Sequence, residues 1–110
     1  MARAVAEEKL ESLRRCVERV RSRCPAKAST LSSDPDLQDI LTLNLTRAVQ
    51  VSVDIAASLI ATSSLSAPDT MGGAFDALFE LGAIDADLTR RLKAAVGFRN
   101  IAVHSYRRIN

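Results

Sequence analysis

The segment Val96-Gly-Phe-Arg-Asn-Ile-Ala-Val-His-Ser-Tyr106 holds the only histidine and the only tyrosine of this 110-residue chain. Arg99 and Asn100 lie just upstream of both. An imidazole titrates near neutrality and can take or give a proton. A guanidinium can hold two phosphate oxygens in a forked geometry and stabilise developing negative charge. A phenol offers a contact or a nucleophile. At about 100° per residue on a helix, Asn100 and His104 sit one turn apart, while Arg99 and Tyr106 nearly eclipse two turns apart. Four polar groups then share roughly half of one helix surface. A lone helical histidine is more often a hydrogen-bonded structural residue, and an Arg–Tyr pair can be simple interface packing. The residues alone leave both readings open.

The helix that carries them must be the last. Asp85 is placed to cap its start, and Leu88, Leu92, Val96, Arg99, Val103 and Tyr106 form its expected seam. Gly97 is a candidate kink. Arg99 falls where the pattern calls for an apolar residue. Buried without a partner it would cost several kcal/mol, so it must be paired or face a cleft or a subunit interface.

Upstream, Ala6, Leu10, Leu13, Val17, Val20 and Cys24 recur at alternating spacings of four and three, which predicts a first helix ended by Pro25. A short polar loop follows. Ser33-Asp34-Pro35 reads as the start of a long helix to about Leu65, whose apolar residues spread over more than one face. Such a helix is expected to be central. After the break at Ser66-Ala-Pro-Asp-Thr70, a short helix from Met71 to Leu81 should turn Phe75, Leu78 and Phe79 inward, with Gly82 as its C-terminal cap. No strand-like alternation or repeat is present. The expected fold is all-α, an up-and-down bundle of four to five helices in a single domain over residues 1–110.

Composition is that of an ordinary globular chain, which excludes wholesale disorder. A charged N-terminus and the lack of a long apolar run predict a cytoplasmic protein with no membrane span. Cys16 and Cys24, about 12 Å apart on one helix, exceed the roughly 7 Å Cα limit of a disulfide. With one histidine and no further cysteine, an intrachain zinc site is not expected. Two buried thiols are. The net charge of +2 conceals segregation: residues 1–27 carry +4, residues 28–87 carry −8 and residues 88–110 carry +6. Either the basic ends attract polyanions such as RNA or an acidic protein surface, or they neutralise the acidic middle within the fold or a dimer.

Arg99-Asn100, three residues, then His104-Ser105-Tyr106 resembles the Arg, polar residue, three to five residues, His signature of HEPN domains. The tyrosine two positions after the histidine resembles the HepT toxin branch. The blocks DLQDILTLNLTRAVQVSVDIAASLI, PDTMGGAFDALFELGAID and RRLKAAVGFRNIAVHSY look like successive HepT blocks in order, so the resemblance covers nearly the whole chain. HepT-like chains usually continue further past the motif, whereas this sequence stops at Ile109-Asn110.

The resemblance implies a homodimeric bundle acting as a metal-independent ribonuclease toxin without a cofactor. Catalytic Arg99 and His104 of two subunits would meet across a dimer cleft, with Asn100 in support. It also implies an antitoxin of the minimal nucleotidyltransferase type, MntA, that transfers AMP from ATP to Tyr106. The competing expectations are a non-catalytic helical nucleotide-binding or dimerisation partner of a nucleotidyltransferase, and a bundle whose polar cluster is only structural. Asn44, Arg47 and Asp54 interrupt the long helix and either line the cleft or are solvated. With no tryptophan and few other aromatics, there is little for bases to stack on.

Overall fold

Proline can enter a helix only in its first turn, where its missing amide costs nothing. Pro35 does so directly after Asp34, whose carboxylate accepts from the Leu37 amide at 3.1 Å. The computed structural model describes the backbone of residues 2–109 and the side chains of residues 4–102. Its helices are α1 (Ala2–Arg23), α2 (Ala28–Ser32), α3 (Pro35–Ala61), α4 (Met71–Glu80) and α5 (Ala86–Ile109). No strand occurs among the described residues. The all-α bundle expected from the sequence is the fold observed.

The one-turn helix α2 lies where the sequence predicts only a loop. Gln38 ties it down, its amide nitrogen donating to the Leu31 and Ser32 carbonyls at 2.8 and 3.2 Å. At its other end α3 stops at Ala61, four residues before the expected Leu65. The Thr62 and Ser63 hydroxyls donate to the Leu59 and Ile60 carbonyls at 2.8 and 2.7 Å. Their amides turn back to the same two carbonyls, so a tight last turn replaces further α-helix.

Helix α4 is capped at both ends. The Thr70 hydroxyl accepts from the Gly73 amide at 3.0 Å. A Cβ on Gly73 would lie only 3.0 Å from that same oxygen, so the glycine makes room for the cap. Gly82 has φ +77°, with Ala83 N–H bonded to Leu78 O and Gly82 N–H to Phe79 O, the paired bonds of a Schellman end. Asp85 starts α5 by accepting from the Leu88 amide at 2.8 Å.

α3 is the hub. α1 packs on α3 alone, whereas α4 and α5 pack on α3 and on each other; among the described residues α1 meets neither α4 nor α5. The core is accordingly one-sided. Val49, Ala56 and Ile60 of α3 join Ala74, Phe75 and Leu78 of α4 and Val96 of α5. Among the described residues of α1, Cys16 alone is a buried core residue.

Four expectations need correction. Phe79 does not point inward: it is 49% exposed, because α4 is covered only by α3 and α5 and Phe79 lies about 100° round from Leu78. Leu88 is exposed too, and Thr89 takes its place in the seam with its hydroxyl bonded to Asp85 O at 2.7 Å. Cys24 is exposed, because α1 ends before it and the chain turns away at Pro25; both cysteines are free thiols. In α1, Leu10 and Val17 are left over 40% exposed at the flank of the seam.

Candidate functional site

The motif segment lies wholly on α5, which runs through Gly97 without interruption. Val96 is buried in the core and fixes the rotation of the helix one turn before Arg99. Arg99 is consequently half-buried rather than sealed, and Asn100 is exposed beside it. Arg99 Nη1 donates to Asn100 Oδ1 at 3.3 Å. No carboxylate pairs with Arg99 among the described residues. The dilemma set by its place in the seam is thus met by partial exposure and a neutral neighbour. Most of the guanidinium's donors are left without a partner among the described residues.

The backbone at His104 and Tyr106 continues α5, so Asn100 and His104 keep their one-turn spacing. Their side chains lie outside the described residues, as does that of Val103. The structure therefore brings Arg99 and Asn100 together. The Asn100 carbonyl oxygen accepts from Arg99 and so holds the guanidinium beside it.

The sequence reading missed the apolar flanks of the motif. Phe98 is 41% exposed and Ile101 70% exposed, on either side of the Arg99–Asn100 pair. A signal was available, since two large apolar residues directly bracket two polar ones. Phe98 and Ile101, three apart, share a face roughly opposite Val96, so the rotation that buries Val96 leaves both open.

The polar residues of α3 separate into two kinds. Arg47 is exposed, and Asp54 pairs with Lys9 of α1 at 3.4 Å, both side chains more than a third exposed. Asn44 is neither solvated nor a cleft residue: it is 3% exposed, and its amide nitrogen donates to Ile40 O at 2.8 Å. Its Oδ1 has no hydrogen-bond partner among the described residues. No three His, Cys, Asp or Glu side chains converge as a metal-binding group among the described residues. None of the described helices is long and apolar enough to cross a membrane.

Charge segregation has a structural outcome. On the α4–α5 side, Lys93 meets Asp76 at 3.0 Å, Arg91 meets Asp87 at 3.0 Å, and Arg90 also pairs with Asp87. Part of the basic end is therefore neutralised by the acidic middle. The second half of α1 is not.

Residues 13–110 match the family described as ribonuclease HepT-like. A relative from Shewanella oneidensis, the mRNA nuclease HepT, is 33% identical over 102 residues, covering 93% of this chain and 76% of its own length. A toxin–antitoxin crystal structure with AMP-PNP superposes with a TM-score of 0.83 at 32% identity, covering 92% of this chain and 76% of that one. The tri-AMPylated Shewanella oneidensis HEPN toxin in complex with MNT antitoxin gives the same TM-score and identity over 93% of this chain and 76% of that one. With the fold, the motif helix and these similarities in agreement, the chain belongs to the HepT-like ribonuclease family of HEPN toxins.

Proposed function

We propose that this protein is the toxin of a toxin–antitoxin pair, an endoribonuclease of messenger or transfer RNA in the cytoplasm, working as a homodimer. The observation that carries this reading is Arg99: a half-buried guanidinium with no carboxylate partner among the described residues, held by Asn100 one turn before His104. A cation so left is suited to a phosphate.

Cleavage needs no metal in this scheme. A base removes the proton from a ribose 2′-hydroxyl, whose oxygen bonds to the adjacent phosphorus. The bond from phosphorus to the 5′-oxygen breaks, and an acid returns a proton to that leaving oxygen. His104 serves as base or acid, and a dimer supplies two such imidazoles. Arg99 stabilises the charge on the crowded phosphate, positioned by Asn100. Exposed Phe98 and Ile101 beside the motif provide the apolar surface through which two copies of α5 can associate. The molecule is also elongated for its size. Its radius of gyration is 15.3 Å, against about 13 Å for a compact chain of this length.

Relatives solved in complex with an MNT antitoxin support an MntA-type nucleotidyltransferase as partner. In this chain the acceptor is Tyr106, the sole tyrosine. Its phenolic oxygen attacks the α-phosphorus of ATP and pyrophosphate leaves. The added AMP places bulk and negative charge in a cleft meant for phosphate, and cleavage stops.

The test is a cleavage assay on cellular RNA with chelator present. Wild type should shorten the RNA, while Arg99→Ala and His104→Ala should lose at least about 100-fold in rate, the scale of a lost acid–base or charge-stabilising group. Equal cleavage by all three proteins would refute the assignment. After incubation with antitoxin and ATP, mass spectrometry should find AMP on Tyr106; modification elsewhere would overturn that part alone.

A further inference from the structure

The second half of α1 concentrates cations that the fold does not use. Arg15, Arg19 and Arg23 recur every four residues and so form a row along one side of the helix, each step rising about 6 Å. Arg21 and Lys27 lie nearby in the chain, and all five are exposed. None of the five has an ion-pair partner among the described residues. Elsewhere Lys9, Arg14, Arg90, Arg91 and Lys93 each meet a carboxylate, while the lone exposed Arg47 of α3 has no such partner among the described residues. Basic residues in a last helical turn stabilise the macrodipole, which accounts for Arg21 and Arg23. It does not account for Arg15 and Arg19, which lie further upstream.

We propose that the row Arg15, Arg19 and Arg23 is a second contact for RNA, a phosphate grip on α1 separated from the α5 motif by α3. The proposal rests on the ribonuclease reading above. A protein partner fits the row less well, because protein interfaces centre on desolvated apolar or aromatic anchors and no exposed apolar side chain lies between these arginines. Of the exposed large apolar residues of this helix, Val5 lies ten residues upstream of the row, and Leu10 and Val17 lie more than 100° round from the Arg15–Arg19 side. With no aromatic in the row, the contact follows the backbone without reading bases, and it must be sensitive to salt.

The experiment measures binding of a labelled single-stranded RNA, long enough to span the 48 Å length of the molecule, across a salt series. All proteins carry His104→Ala to prevent cleavage. The triple change Arg15→Gln, Arg19→Gln, Arg23→Gln should weaken binding at least about tenfold at low salt and flatten the log–log salt slope by about 2, the value for three lost phosphate contacts on a single strand. Arg90→Gln with Arg91→Gln, the paired cations of α5, should change the slope by less. The corresponding triple lysine variant should retain the wild-type slope.

In proteins with His104 restored, the glutamine triple should lower kcat/KM for the long RNA and leave that for a trinucleotide unchanged. An unaltered slope in the glutamine triple, an equal loss in the α5 pair, or a lysine triple as weak as the glutamine one would overturn the proposal. So would loss of antitoxin binding with RNA binding intact, which would assign the row to protein. RNA binding with the expected slope but no cleavage by wild type would remove the nuclease reading and leave the grip standing.

Discussion

The two sides of α3 are built on different terms. Toward α4 and α5, the hub helix buries a continuous apolar cluster, with Phe75 only 1% exposed at its centre. Toward α1 it offers a seam in which Cys16 is the buried core residue of α1, Lys9 and Asp54 pair at the edge, and Leu10 and Val17 remain largely open. Asn44 belongs to this second side. It precedes by two turns Val51, which lines a groove with Glu8, Lys9, Glu11, Ser12 and Arg15 of α1. The difference teaches where stability and where interaction reside. The α3–α4–α5 side holds the motif helix at a fixed rotation through Val96, while the α1 side exposes apolar and basic surface. Amide exchange should accordingly be slower in α4 than in α1, as local opening follows buried apolar contact.

The largest effect should come from the centre of the apolar side. Phe75→Ala removes a fully buried ring and should cost about 3–5 kcal/mol of unfolding free energy, read by denaturant titration. A loss below 1 kcal/mol would mean that the two sides do not differ as described.

Next comes the orphaned amide of the polar side. Asn44→Leu removes a buried acceptor that lacks a partner while roughly keeping the volume, and should stabilise by about 1 kcal/mol, raising Tm. A fall in Tm instead would reveal a donor to Asn44 supplied on assembly.

The smallest change is expected at the edge. Asp54→Asn breaks a half-exposed pair and should cost no more than about 0.5 kcal/mol, vanishing at high salt. A larger, salt-independent loss would show that the α1 seam depends on its charges more than on Cys16 and its apolar neighbours.

Much of the fold was legible from local signals. Asp34-Pro35, Gly82 and Asp85 act through bonds within a few residues of themselves, so their effect can be read directly from sequence. The spread of apolar residues round α3 likewise identified the hub. What failed were choices of face. Phe79 against Leu78, and Leu88 against Thr89, are adjacent positions about 100° apart, and either could fill an apolar stripe. Which one is buried depends on where neighbouring helices lie. Asn44 failed for the same reason, since polarity alone places an asparagine in solvent and only packing puts it inside. At the candidate site, residue types and the spacing of Arg99, Asn100, His104 and Tyr106 were visible. The hydrogen bond from Arg99 to Asn100 and the exposure of Phe98 and Ile101 were not.

The sequence by itself determined the four longer helices, most of their caps, the central place of α3 and the segment that groups Arg99, Asn100, His104 and Tyr106, because each follows from short-range periodicity, capping and residue type. Tertiary structure alone decided which cations are neutralised by a carboxylate on another helix, and how deeply Arg99 is seated. Those outcomes depend on distances between residues far apart in the chain, such as Lys9 and Asp54 or Lys93 and Asp76. Coulomb attraction and burial act through space, and no linear spacing encodes them.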